Sequence, residues 1–362
     1  MHSINAGVNY FDTAWIYPGS EEALGTIFEK NQVREKVFIA TKLPIVYVKS
    51  AADFEKYLSQ SLTRLKTDYI DYYLMHMITD FDQWTTLKSW GIESWLAEKK
   101  KTGQIRQIGF SFHGSCAEFL KVLDDYDWDH CLIQYNYFDE NFQAGVTGLK
   151  EAAQTMPVMI MEPLLGGKLA TGLPKTAVDI FKKANSRLSP AGWALNWIWN
   201  QEEPALLLSG MSDMAQLEEN IRFAGNAQAG MLKEPELDVY RLALAAIHRS
   251  YKIQCTGCNY CMPCPKGVNI PGCFTAYNTM YALSYVAGMQ QFVTSTGLTS
   301  ERSGSPSQCS NCGKCEKHCP QHLPIMKYLA QVERRMEPFW LKFIGVCARA
   351  FLGKKRKKKK EQ

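Results

Sequence analysis

Eight of the twelve cysteines form two tight runs in the stretch from Cys255 to Cys319, each closing on Cys-Pro. The first reads Cys255-x2-Cys258-x2-Cys261-x2-Cys264-Pro265 and the second Cys309-x2-Cys312-x2-Cys315-x3-Cys319-Pro320. A [4Fe–4S] cubane needs four converging thiolates. Two-residue spacers let a loop wrap one cluster face with its backbone N–H groups turned to the sulfides. Zinc ribbons and disulfides are the alternatives. A zinc ribbon uses separated Cys-x2-Cys pairs, because a tetrahedral ion takes only two thiolates from each loop. Adjacent Cys-x2-Cys sites make poor disulfides, and no secretory signal precedes them.

The two runs resemble those of two-cluster ferredoxins, where the fourth Cys of each run ligates the other cluster. That pattern implies Cys255, Cys258, Cys261 and Cys319 around one [4Fe–4S] cluster. Cys309, Cys312, Cys315 and Cys264 would hold the second. The first run departs in having two residues, not three, before Cys264. Cys273 stands nearby as a substitute ligand or as a packed thiol.

A second set with chemical capacity lies near the N-terminus: Asp12, Tyr17, Lys42 and His76. An acid, a phenol, an amine and an imidazole together can move a proton to or from a reacting oxygen. The elements that must position them read as alternating short apolar runs and amphipathic stretches. Strands are predicted at Val8–Thr13, Val37–Lys42, Tyr69–His76, Ile105–Ser111, Cys131–Tyr135, Val158–Glu162 and Ala205–Ser209. Helices are predicted at Ser20–Phe28, Ala52–Leu65, Trp84–Lys101, Cys116–Asp124, Val146–Gln154 and Pro190–Asn200. This alternation argues for a parallel sheet, a closed (β/α)8 TIM barrel ahead of an open doubly wound sheet. No Gly-x-Gly-x-x-Gly follows any strand, which counts against a Rossmann site. Only seven strands are counted, and the opening residues read as a helix tail, so the first barrel strand is expected to be missing. In a barrel the carboxyl ends of strands face the mouth of the active site, and the four residues sit at or just after three successive strand ends.

Here the chain resembles the aldo/keto reductase family. The matching stretches are Gly7–Ala14 with Tyr17, Gly19-Ser-Glu21, Ala40-Thr-Lys42, Asp71–His76, Ile108–Ser111, Gln134-Tyr-Asn136, Glu162–Lys168 and Glu218-Glu-Asn220. They cover about residues 4 to 225, and the Cys-rich region resembles the ferredoxin-like domain that a subset of the family carries. The resemblance implies hydride transfer between a nicotinamide and a small carbonyl substrate. Tyr17 would be the general acid, with Lys42 lowering its pKa, Asp12 keeping Lys42 charged and His76 orienting the carbonyl. Taken one at a time, these residues also read as a surface aromatic, a buried ion pair and a core histidine.

On the cofactor side the resemblance implies that Ser111 and Gln134 hold the nicotinamide carboxamide, with Phe112 where many members have Asn. Leu164, Leu165 and Gly166 match the loop that passes the pyrophosphate, and Lys168 follows it. The cofactor's adenosine end would meet Gly210, Gln216, Glu219 and Asn220. Gly210-Met211 and Gln216 replace the cations of many NADP-specific members, and Asp213 shares the loop, so NADP and NAD both stay open.

The net charge of +5 rests on the seven cations of residues 354–360, without which 34 basic residues face 36 acidic ones. A nucleic-acid binder is therefore not indicated. No apolar run is long enough to span a bilayer, and a cysteine-rich, unsecreted chain points to a reducing cytoplasm. The organisation expected is a barrel at 1–225, a helical linker at 226–250, the iron–sulfur domain at 251–335 and a tail at 336–362. The apolar stretch Phe339–Gly353 with its lysine run suits either a peripheral contact with an anionic membrane or a packed helix with a solvated tail. Two functional readings follow. One is a nicotinamide-dependent carbonyl reductase carrying two clusters, with a redox protein as a possible partner. The other is a non-enzymatic electron-transfer or docking protein with a relic barrel site.

Overall fold

The computed structural model describes residues 1–255, 257, 259–297 and 303–338. Cys258 and the tail from residue 339 onward lie outside the described residues. The chain divides into two compact units, Met1–Leu164 with Ala191–Lys233, and Leu165–Pro190 with the residues from Glu234 on.

The first unit is built on seven parallel strands: β1 Tyr10–Asp12, β2 Phe38–Leu43, β3 Ile70–Ile78, β4 Ile105–Phe112, β5 His130–Gln134, β6 Val158–Met161 and β7 Pro204–Leu207. They pair in chain order, β1 to β7. Helices at Ser20–Asn31, Ala52–Leu65, Cys116–Asp124, Gly145–Ala153, Pro190–Trp199 and Met214–Ala224 form the crossovers or follow the last strand. The outer sheet face and the helices share a large apolar core that includes Ile39, Tyr73, Met75, Phe110, Ile133 and Ile160. A smaller core of Ala40, Leu74, Leu132 and Met159, edged by Tyr10 and Tyr72, fills the inner face. Tyr10 on β1 donates to the Met159 sulfur on β6 at 3.1 Å, so the sheet curls far enough for these inner faces to meet. The fold is a TIM-type barrel of seven strands, in accord with the strand count from the sequence. Among the described residues no ladder joins β7 to β1. These edge strands are only partly buried, whereas all of β5 is buried.

The stretch Trp84–Lys101, expected as one helix, is two: Phe81–Ser89 and Ile92–Thr102. Gly91 takes the left-handed conformation (φ 84°) between them, and its N–H bonds the Lys88 carbonyl, a glycine helix stop. Apolar spacing runs on through the break: Leu87, Ile92 and Leu96 are all buried. Periodicity alone therefore merged the two helices.

In the second unit, Lys175–Ala184 packs on Glu234–His248, with the Phe181 and Tyr240 rings 6.0 Å apart. The helices Ile270–Ala282 and Tyr285–Thr296, which lie between the Cys runs, form a hairpin. Ile325–Met336 joins them around a core of Ile253, Val268, Phe274, Leu329 and Val332. Two polar ties fix the Cys-bearing loops to this core. Asn278 accepts from the Lys252 and Ile253 N–H groups and donates to the Ile253 carbonyl. The buried Glu337 carboxylate accepts from the Ser305 hydroxyl and from the Ser307 N–H. No helix among the described residues is long and apolar enough to cross a membrane.

Candidate active site and cluster site

Side chains alternate across a strand, so residues two apart share a face. On the inner face Ala40 is followed by Lys42, Leu74 by His76 and Leu132 by Gln134. The barrel thus stacks its polar residues one layer above its apolar ones, at the carboxyl ends of the strands.

Lys42 is buried at the centre of this layer, and its ammonium donates to both Asp12 oxygens (2.6 and 2.7 Å) and to the Thr13 carbonyl (2.7 Å). It lies 5.6 Å from the centre of the Tyr17 ring, which meets the His76 ring edge to face at 5.9 Å. The structure therefore brings Asp12, Tyr17, Lys42 and His76 together. Lys42 faces the Tyr17 ring, however, and its bonds go to Asp12 and Thr13. The Tyr17 pKa is not lowered: burial, then Asp12 and Glu162, push it up to about 12. That corrects the expectation of a phenol acidified by Lys42. For Asp12, burial raises the carboxyl pKa against the pull of Lys42. Burial, then Lys42 and His113, push His76 down to about 3, so its imidazole is neutral at ordinary pH.

A second layer holds this set in place. The buried Glu21 carboxylate accepts from the Thr41 hydroxyl (2.6 Å), next to Lys42, and from Arg64 (3.2 Å). Arg64 also donates to the Trp15 carbonyl (3.2 Å) and lies over the Trp15 ring, two residues before Tyr17. Lys42 and the loop carrying Tyr17 are thereby tied to one carboxylate.

On the cofactor side, Ser111 is buried and accepts from the Met77 N–H (2.8 Å). Gln134 accepts from the Gln143 amide (3.0 Å), which leaves its own NH2 group as a donor. Gln143 sits in the left-handed region (φ 58°), a strained place for a non-glycine residue. Its side chain also neighbours His113, whose pKa burial pushes down to about 4. His113 was not singled out from the sequence. The signal was there, since it stands two residues beyond Ser111, while Phe112 between them is buried in the outer core. Leu165, Gly166 and Gly167 are consecutive left-handed residues (φ 48°, 60° and 83°) leading into the turn that starts at Lys168. Asn220 donates to Ser209 (3.0 Å), and Glu219 pairs with Arg222 at 3.6 Å. Gln216 accepts from the Ser212 N–H, while its own N–H bonds the Asp213 carboxylate that caps the helix Met214–Ala224. Gly210 is exposed. No single cluster of contacts gathers these last four.

In the second unit, one cavity is lined by Cys255, Cys261 and Cys319 together with Ile270, Phe274, Leu323 and Ile325. A first-run pair and the last Cys of the second run thus share a wall. Cys264, Cys309 and Cys315 pack against the same apolar core, and Cys312 is exposed. Cys273 is buried and donates to the Gly304 carbonyl at 3.7 Å, as a packed thiol would. The described cysteines form no disulfide. Nor do any three His, Cys, Asp or Glu side chains among the described residues converge as one metal ion requires. Thiolates spread around a cavity match a cluster better than a single zinc.

The two loops also share a backbone pattern. Gly257 and Asn311 occupy the position before the second Cys with φ 70° and 54°, and Asn259 and Gly313 the position after it with φ 63° and 70°. Glycine and asparagine have simply exchanged places, and they are the residues that accept the left-handed region most readily. The turn aims N–H groups at sulfur: Asn311 donates to the Cys309 Sγ at 3.4 Å, and the Lys314 N–H draws the Cys312 pKa down.

Comparisons with known proteins agree with both halves. The aldo/keto reductase family model matches residues 2–228, and the 4Fe-4S dicluster domain model matches residues 254–325. An aldo-keto reductase of Strobilurus tenacellus is 27% identical over 66% of this chain and 78% of its own length. An aldehyde reductase of Saccharomyces cerevisiae is 31% identical over 30% of this chain and 41% of its own. Among solved structures, an aldo/keto reductase from Klebsiella pneumoniae in complex with NADP and acetate has a TM-score of 0.54 at 24% identity, covering 67% of this chain and 82% of that one. With the family model matching well over half its length, the chain belongs to the aldo/keto reductase family of oxidoreductases and carries a C-terminal iron–sulfur domain.

Proposed function

We propose that the strand-end site reduces a small carbonyl compound to the alcohol with a nicotinamide cofactor, and that the C-terminal unit holds two [4Fe–4S] clusters. The observation that supports this most is the bidentate grip of Asp12 on Lys42 beneath the edge-to-face Tyr17 and His76 rings. NADP or NAD would supply the hydride when bound. Ser111 and the NH2 of Gln134 suit its carboxamide, and Leu164, Gly166 and Lys168, in and beside the left-handed turn Leu165–Gly167, suit its phosphates. Gly210, Gln216, Glu219 and Asn220 would meet the adenosine end.

Tyr17 stays protonated across the physiological range and gives its proton to the carbonyl oxygen as charge develops there. Neutral His76 offers a hydrogen bond to the same oxygen and orients it. Asp12 offsets the charge on the buried Lys42, which lies against the Tyr17 ring and helps fix its position.

The second reading, an electron-transfer or docking protein with an unused barrel site, draws support from the Lys42 donors already engaged by Asp12 and Thr13. A nicotinamide moves two electrons and a [4Fe–4S] cluster one, so the halves need not exchange electrons. An anaerobic assay separates the readings: nicotinamide and cluster absorbance are followed together, with NADPH or NADH and a panel of carbonyls. Carbonyl-dependent oxidation that is lost in Tyr17→Phe supports the reductase. Cluster bleaching by a donor protein with no carbonyl turnover supports the alternative.

A further inference from the structure

Charge is unevenly divided along the chain. Residues 1–250 carry 24 Lys and Arg against 31 Asp and Glu, whereas residues 251–338 carry 8 against 4. Three lysines of the second stretch also differ from those of the barrel in their pairing. In the barrel, Lys42, Lys88, Lys99, Lys100 and Lys121 each hold a carboxylate. Lys314, Lys317 and Lys327 are exposed and form no ion pair among the described residues.

These three lysines are gathered at one place. Lys314 and Lys317 bracket the short helix between Cys312 and Cys319, and Cys312 is itself exposed. Lys327 follows Met326, whose N–H bonds the Glu316 carboxylate at 2.9 Å and whose methyl reaches within 4.0 Å of a β-carbon placed on Gly313. That contact seats the start of the helix Ile325–Met336 on the second Cys loop. The nearby carboxylates are turned inward, Glu316 to Met326 and the buried Glu337 to Ser305 and Ser307.

We infer that Lys314, Lys317 and Lys327 form the docking surface for a small acidic one-electron carrier protein, which passes its electron to the cluster held by the second Cys run. The inference rests on the cluster reading above. The step balances as one electron: the carrier is oxidised by one, the cluster is reduced by one, and no proton moves. Three ammonium groups without a carboxylate partner among the described residues, beside the exposed Cys312, raise the local concentration of an acidic partner and orient it at the edge where Cys312 meets solvent.

The test uses the cluster-loaded full chain under anaerobic conditions, with an acidic flavodoxin as the probe carrier. Calorimetry with the oxidised carrier measures binding, and stopped-flow bleaching of the cluster by the reduced carrier measures transfer. Binding and a rate constant that falls about tenfold or more with added salt are expected, with a similar loss in Lys314→Glu/Lys317→Glu/Lys327→Glu. The neutral Lys→Gln triple variant should fall between, at unchanged iron content. A control triple, Lys30→Glu/Lys66→Glu/Lys121→Glu, should leave both measurements unmoved. Equal binding and rate in the Glu triple variant would overturn the inference. So would lysine-dependent binding to phosphatidylserine vesicles with no carrier binding. A chain that binds the carrier but purifies without iron fails the cluster reading instead, so the two failures stay distinct.

Discussion

The Lys42 ammonium lies 2.6 and 2.7 Å from the two oxygens of Asp12, in a site where Lys42 is 2% exposed. Removing one partner of such a buried pair leaves an uncompensated charge, and this costs about 3 kcal/mol or more. Asp12→Asn should therefore lower the urea midpoint sharply and abolish carbonyl reduction. Asp12→Asn/Lys42→Met should regain most of the stability and none of the activity. Additive stability losses in the double variant would show that the pair is not coupled in the folded protein.

The site's pH dependence follows from burial. Tyr17 is held up at about 12 and His76 down at about 3. Carbonyl reduction by the proposed route should show no ionisation of either group between about pH 5 and 9. The alkaline limb should begin well above the ordinary phenol value of about 10. Steady-state kcat against pH measures this. An inflection near pH 6.5 that disappears in His76→Gln would mean that the imidazole titrates in the working enzyme.

Much of this arrangement was legible in the sequence, and the parts that were not share a cause. All seven strands were located from local patterns because each is a short apolar run bounded by breakers. The four strand-end residues came together because a parallel barrel collects strand ends at one mouth. What a linear reading lacks is side-chain direction. Lys42 was expected to act on the Tyr17 hydroxyl, yet its three contacts go to Asp12 and Thr13. His113 was overlooked because its place follows from Phe112 turning into the core, a packing outcome. The crosswise gathering of Cys255 and Cys261 with Cys319 came from the ferredoxin pattern, and spacing alone would not have given it.

His130 is buried on the barrel's inner face against Gly109 and Tyr72, and neither ring nitrogen has a hydrogen-bond partner among the described residues. Burial pushes its pKa down to about 3, against about 6.5 in an unfolded chain. Between those values the unfolded chain binds a proton that the native chain refuses, so stability falls as pH falls. At pH 5 this one histidine accounts for about 2 kcal/mol of that loss. His130→Leu removes it, so urea unfolding should lose up to about 1.4 kcal/mol per pH unit of its slope between pH 6 and 4. Parallel wild-type and variant stability curves would show that His130 stays neutral, or becomes charged, in both states.

The shared wall of Cys255, Cys261 and Cys319 makes ligand assignment a matter of counting iron. If the fourth Cys of each run serves the other cluster, Cys255 and Cys319 belong to the same one. Cys255→Ala/Cys319→Ala then destroys a single cluster, and anaerobically purified protein retains about four of about eight irons. If each run closes on itself, the same variant damages both clusters and nearly all the iron is lost. Cys255→Ala/Cys264→Ala gives the reverse pattern, losing both clusters in the crosswise arrangement and one in the other. Cys273→Ala, which removes a packed thiol bonded to the Gly304 carbonyl, should keep full iron and lose only stability. Iron loss in that variant would make Cys273 a ligand and displace Cys264 from the second set.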